Sequence, residues 1–147
     1  MIHQRRAIRQ AVAAVLQAAA IVPAAQVHDN PSAPRTVFPA LVIEDDTEPQ
    51  AAITRPAGVD RAIERRYRFS VAVEVRQAGT AYADTRDDLC AAVEAALAAA
   101  SLPGVKAVVP VGWQASNSMS HEYPITVGQQ SFEALYYTSQ GNPSAAL

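Results

Sequence analysis

Tyr67, Phe69, Val71, Val73 and Val75 alternate with Arg66, Arg68, Ser70, Ala72, Glu74 and Arg76 through one uninterrupted stretch. A period of two puts the first set on one face of a β-strand and the second on the other. Such a strand needs a sheet with an apolar face that is covered and a charged face that is solvated or docked by a partner. The cover has to come from elsewhere in the chain, and two stretches offer it.

The first is the N-terminus. Ile8, Val12, Val15 and Ala19 recur at helical spacing, Leu16 widens the stripe, and Gln4, Arg5, Arg9, Gln10 and Gln17 fall largely off it. Positive residues ahead of an apolar run also resemble an export signal. Gln17 and the alanine-rich composition fall short of the roughly 20 apolar residues that a membrane span needs. The stripe therefore reads as a helix of the folded domain, stopped by Pro23.

The second stretch opens at Asp84 or Thr85 as N-cap, with Asp87 and Asp88 in the first turn, where carboxylates meet the positive end of the helix dipole. Leu89, Val93, Ala96, Leu97 and Ala100 form its buried stripe, and Ser101–Gly104 ends it. Cys90, the one cysteine, lies beside this stripe and is expected to be buried and inert. A single cysteine excludes an intrachain disulfide framework and a multi-cysteine zinc motif, and fits a reducing cytoplasm.

Three further strands follow from the pattern. Phe38–Glu44 holds the continuous apolar run Leu41, Val42 and Ile43, which suits the inside of a sheet. Val105, Ala107, Val109, Val111 and Trp113 alternate through another strand, where Pro110 and Gly112 predict an edge position, a bulge or a bend. Gln129–Thr138 closes the set. Pro23–Arg35, with three prolines, reads as a turn-rich loop holding no core element. Ser116–Pro124 reads as a loop and Ser139–Leu147 as a flexible tail. A chain of 147 residues suits one domain. The order predicts an α+β fold over 1–147, with two helices packed on one face of a mainly antiparallel sheet.

Between Phe38–Glu44 and Tyr67–Arg76 lies the polar stretch Asp45–Arg66, far longer than the usual connection of about 4–6 residues. It reads as a long polar arm. Its charges are segregated: Glu44, Asp45, Asp46 and Glu48 come first, and Arg55, Arg61, Arg65, Arg66 and Arg68 follow. If the flanking strands pair antiparallel, the two sets face each other at the arm's base. They then make cross-strand ion pairs within one chain, each worth about 0–1 kcal/mol when exposed. The alternative is a pair of opposite patches for head-to-tail contacts between copies, which close into rings.

Catalytic chemistry finds little support. The acidic run lacks the glycine and terminal glutamate of an EF-hand loop. Asp60 with Glu74 and Arg76 loosely resembles the Asp…Glu-x-Lys site of restriction-type nucleases, but arginine stays protonated and does not readily activate water. His3, His28 and His121 fall in a terminus or loops, no G-x-S-x-G elbow exists, and no glycine motif cradles a phosphate. A net charge of −2 supplies no basic field for nucleic acid. No catalytic residue, metal, cofactor, nucleic-acid specificity or membrane association is expected.

An N-terminal helix, a proline-rich loop ending in Phe38-Pro39-Ala40 before an apolar strand, a polar arm, the Tyr67–Arg76 strand, a helix opening at Asp84–Asp88 and closing strands follow in that order. Over nearly the whole chain this resembles the tail terminator (tail completion, minor tail protein U-like) proteins of long-tailed bacteriophages. The resemblance implies a non-enzymatic virion protein, assembled in the host cytoplasm and located in the virion tail. It would form a ring, a hexamer, that caps the tail tube, stops tube polymerisation and presents a surface for head–tail joining. The implied partners are further copies of the chain, the tail tube protein and the head–tail connector protein. Contact roles fall to Glu44, Asp45, Asp46, Glu48, Arg55, Arg61, Arg65, Arg66, Arg68 and Arg76. The arm would order against the tube or a neighbour, and excising Thr47–Asp60 is expected to leave the fold intact while abolishing capping. A head-side neck or stopper protein is the alternative reading, and a metal-dependent nuclease ranks below it.

Overall fold

The computed structural model of the chain describes residues 2–53, 61–77, 80–118 and 125–147. Among these are two helices and seven strands: α1 (Gln4–Ala18), β1 (Val27–Asp29), β2 (Ala40–Asp45), β3 (Gln50–Ala52), β4 (Ala62–Arg76), α2 (Tyr82–Ala99), β5 (Val105–Ser118), β6 (Ile125–Ser139) and β7 (Asn142–Ala146). The strands form one sheet in the order β1-β2-β4-β6-β5, with β3 also beside β4 and β7 beside β6. Only the β1–β2 pair is parallel among them.

The alternation in β4 decides where the core lies. Tyr67, Phe69, Val71, Val73 and Val75 are buried, and in register Ala134 stands opposite Tyr67 and Phe132 opposite Phe69. The rings of Tyr67, Phe69 and Phe132 follow one another at centroid spacings of 5.4 and 5.6 Å. Ile8, Val12 and Leu16 of α1 and Val93 and Leu97 of α2 belong to the same cluster, so both helices cover one face. This is the expected α+β arrangement. Each large apolar side chain so buried contributes about 1.5–3 kcal/mol.

Helix α1 is part of this core, as its stripe requires. The His3 ring replaces the usual hydroxyl or carboxyl cap, its Nδ1 accepting from the Arg5 amide at 3.1 Å. The helix ends at Ala18, ahead of Pro23, and Ala20 then takes a positive φ of 53°. Gln4, expected off the stripe, is buried and donates to the Pro103 carbonyl at 2.6 Å. No helix among the described residues is long and apolar enough to cross a membrane.

Helix α2 starts at Tyr82, two residues before the expected cap, and its N-cap Ala81 makes no side-chain capping bond. Its buried line is Arg86, Cys90, Val93 and Leu97, turned from the expected Leu89 and Ala96. Gly128 of β6 explains the turn. A Cβ at Gly128 would sit 2.7 Å from Cys90 Sγ, so the missing side chain is what lets α2 lie so close there. The thiol donates to the Gly128 carbonyl at 3.8 Å and burial pushes its pKa up, which leaves it protonated and unreactive.

Four expectations need correcting. Pro23–Arg35 does contribute to the core: β1 lies there, and Val27 is buried in the main cluster. Three strand residues between prolines are too few to show a period. Ser139–Leu147 is no flexible tail, because β7 pairs with β6 and the Leu147 amide donates to the Tyr137 carbonyl at 2.8 Å. Ser116–Ser118 continue β5 where a loop was expected.

The fourth correction concerns the polar arm. The pairing passes from Asp45 opposite Phe69 to Gln50 opposite Arg65, a one-residue offset, so β2 runs through a bulge into β3 along the same partner. The Asp46 amide donates to the Arg68 carbonyl at 3.0 Å, Arg66 to Pro49 at 3.0 Å and Ile53 to Ala62 at 3.1 Å. Asp45–Ile53 and Ala62–Arg66 are thus the two sides of an extended β-hairpin. Ile63 and Arg65 extend the Tyr67 face of β4, and Glu64 and Arg66 extend the other face, which is open and tolerates polar side chains. Residues 54–60, with Arg55 and Asp60, lie outside the described residues, as does His121.

Candidate functional site

Glu48 sits at the base of the hairpin with a side chain only 4% exposed. Arg65 donates to its Oε1 at 3.1 Å, Arg5 to the same oxygen at 3.3 Å, and the Tyr136 hydroxyl to Oε2 at 2.5 Å. Arg65, 8% exposed, is held in turn by Thr138 Oγ1 at 2.7 Å. Burial, then the Glu48 carboxylate, push the Tyr136 pKa up, which keeps it a hydrogen-bond donor. Burial and the nearby Arg5 lower the His3 pKa, which keeps the capping ring neutral.

Asp45 anchors a second cluster. Arg9 grips both carboxylate oxygens at 2.9 and 3.0 Å, Asn30 donates at 3.0 Å, and the Tyr67 hydroxyl makes a short bond to Oδ1. Burial raises the Asp45 pKa, but these donors outweigh it and hold the carboxyl below its ordinary range. Arg9 Nε also lies 2.5 Å from Asp29 Oδ1, at an angle that makes an ion pair and no hydrogen bond. Both clusters tie α1 to the hairpin within one chain.

Glu64, Arg66, Arg68 and Glu133 occupy the sheet face away from the helices. Glu133 takes Arg66 at 3.3 Å and Arg68 at 3.0 Å, and Glu64 takes Arg66 at 2.8 Å. Glu44 and Asp46 are exposed and border a shallow depression with Ser70, Gln114, Gln129 and Ser131. There the Gln114 amide donates to Gln129 at 2.8 Å, and Gln129 to Ser70 at 2.9 Å. Arg61 lies before β4, its carbonyl accepting from the Gln140 amide at 2.8 Å, and Arg76 is exposed at the strand's far end. The structure thus pairs Glu48 with Arg65 across the hairpin, and joins Arg66 and Arg68 to Glu133, which the sequence did not single out. Excising Thr47–Asp60 would strip buried Arg65 of its counter-ion, so that deletion cannot be neutral to the fold.

Asp60 of the nuclease-like set lies outside the described residues. Glu74 is engaged by Arg35 through both oxygens, at 2.5 and 3.0 Å. No group of three or more metal-ligating side chains gathers among the described residues.

Strand β5 carries what the sequence reading missed. Side chains from Val109 to Ala115 are exposed on both faces of this edge strand, with Val109 at 46% and Val111 and Trp113 at 48%. Its register slips between Pro110 and Gly112, the bulge that proline and glycine predicted. Trp113 lies over α2 with its ring 5.2 Å from the Arg86 guanidinium. The available signal was the absence of any charged residue from Ala107 to Ser118, rare on a free edge. On the far side of the sheet, beside β1, the proline-rich loop forms a groove of about 560 Å³ lined by Ala25, Gln26, His28 and residues Pro31 to Val37.

This architecture has a counterpart among solved structures. A chain from the virion of a native gene transfer agent particle superposes with a TM-score of 0.54 at 20% identity, over 88% of this chain and 96% of that one. The two share a fold. No family model matches the sequence, and no curated relative does.

Proposed function

We propose that this chain is a non-enzymatic structural protein of a phage-like virion, and that it assembles head to tail into a ring, a hexamer, that caps the tail tube. In this reading it stops tube polymerisation and provides the head–tail joining surface. Its partners are its own copies, the tail tube protein and the head–tail connector protein, and it resides in the virion tail after assembly in the host cytoplasm. The observation that carries the reading is the near end-to-end fold likeness to a gene transfer agent virion chain. The sequence resemblance to tail terminators supports the same assignment. Glu44, Asp46, Arg66, Arg68 and Arg76 lie on exposed surface and are the contact candidates, whereas Asp45, Glu48 and Arg65 serve the hairpin's attachment. Arg55 and Arg61 complete the proposed set.

Added to polymerising tail tube protein, the chain should shorten tubes and appear at one tube end in electron micrographs. Unchanged tube lengths with no bound density would defeat the reading, and binding to the connector alone would assign the chain to the head side of the joint.

A further inference from the structure

Helix α1 begins against the sense of its own dipole. Its first two turns carry Arg5, Arg6 and Arg9, and its first turn holds no acidic residue, although the N-terminal end of a helix is positive and favours carboxylates. The compensating acids come from other elements: Glu48 takes Arg5, and Asp45 and Asp29 take Arg9.

The first turn itself is held by four contacts. The His3 ring caps it through Nδ1, the His3 carbonyl accepts from the Ala7 amide at 3.1 Å, Arg5 reaches Glu48, and Gln4 reaches the Pro103 carbonyl. A ring nitrogen accepts a hydrogen bond only while it carries no proton, so this cap requires a neutral imidazole with its proton on Nε2. Imidazole alone among unperturbed side chains changes charge between about pH 5 and 8.

A proton on Nδ1 does two things at once. The acceptor of the Arg5 amide becomes a donor facing a donor. It also adds a third cation around one carboxylate, because the charged groups facing the ring are Arg5 of its own helix and Glu48 and Arg65 of the hairpin. Glu48 Oε1 is already shared by the two guanidiniums, and Oε2 takes the Tyr136 hydroxyl. Burial of the ring and the Arg5 charge outweigh the pull of Glu48, so the folded chain favours the neutral form.

We propose that His3 is a proton-operated latch: its neutral ring closes the first turn of α1, and its protonation opens that turn, releasing Arg5 from Glu48 and Gln4 from Pro103 and loosening the hairpin base. The Asp45 clasp stays shut in that range, because its carboxyl is held below the ordinary carboxylate pKa and keeps Arg9. Opening is therefore local. By linkage, the stability that the cap contributes is complete above the unfolded histidine value of about 6.5 and is lost as the pH falls through the lower folded value. The latch stands independently of the ring reading.

Amide exchange followed by NMR on the full chain reads each contact. Between about pH 7.5 and pH 5, exchange corrected for its intrinsic pH dependence should quicken at the Arg5 and Ala7 amides by about fivefold, the typical worth of an N-cap. The Arg66 amide, bonded to Pro49 beside Glu48, should also quicken, and the Asp46 amide, beside the Asp45 clasp, should not. His3→Asn supplies a cap that does not titrate and should abolish these pH dependences. The carbon-bound protons of the His3 ring, identified by their loss in that variant, should titrate below the histidines of the urea-unfolded chain. A ring that titrates above them would mean that Glu48 captures the imidazolium and tightens the turn, which overturns the latch. Flat exchange in the wild type, or the same quickening in His3→Asn, would overturn it too. Quickening confined to α1 would refute release of the hairpin, and equal quickening at Asp46 would refute local opening.

Discussion

Replacing Glu48 by Gln keeps the shape of the side chain and removes its charge, leaving Arg65 buried beside Thr138 without a counter-ion. Breaking one partner of a buried ion pair costs about 3–5 kcal/mol, against 0–1 for an exposed pair. Arg5 adds little to the difference, since its side chain is 41% exposed and water replaces the lost contact. At about 2–4 °C per kcal/mol for a domain of this size, the melting temperature should fall by about 6–20 °C. Urea unfolding of the wild type, Glu48→Gln, Arg65→Gln and the double variant gives the coupling energy directly. The double variant should be less damaged than the two losses added together. A Glu48→Gln loss below about 1 kcal/mol would refute the argument, because the pair would then behave as a solvated surface bridge.

Gly128→Ala should destabilise by about 1–3 kcal/mol through overpacking against Cys90 Sγ and Arg86, and Cys90→Ala should restore part of the loss in a urea titration. The Asp45 carboxyl has a depressed pKa, so its contribution is present above the unfolded value of about 3.9 and disappears as the pH falls through the folded value. Urea midpoints should therefore decline below about pH 4 in the wild type, and Asp45→Asn should flatten that decline. Tyr67 and Tyr136 are both shifted upward, chiefly by burial, so stability should begin to fall as the pH rises past about 10, and Tyr136→Phe should soften that limb. Maleimide labelling of Cys90 should proceed at the rate of global or local unfolding, and fast labelling of the native chain would contradict its burial.

The parts of the fold that were legible carried a long period. Tyr67–Val75 announced its buried face, Ile8–Leu16 its helix, and Pro110 with Gly112 the bulge on an edge strand. The misread parts were those in which tertiary context overrides local pattern. Val27–Asp29 becomes a strand because β2 offers an unpaired edge, and Asn142–Ala146 because β6 outruns β5. The hairpin was hidden by its charges, since Glu48 and Arg65 look like solvent-facing residues until Tyr136 and Thr138 are brought beside them from over 70 positions away. The exposed apolar strand was visible only as an omission, a run without charge.

The Glu48 cluster draws together the start of α1, the hairpin, β4 and the end of β6, and Gln4 in the same helical turn holds Pro103. A hairpin rooted in this way cannot pivot by itself. Through Arg5 and Gln4 it is joined to the first turn of the helix and to the turn before β5. Loosening any one of these contacts therefore frees both the hairpin and the turn before β5, so the two ends of the sheet share one anchor in the first turn of α1.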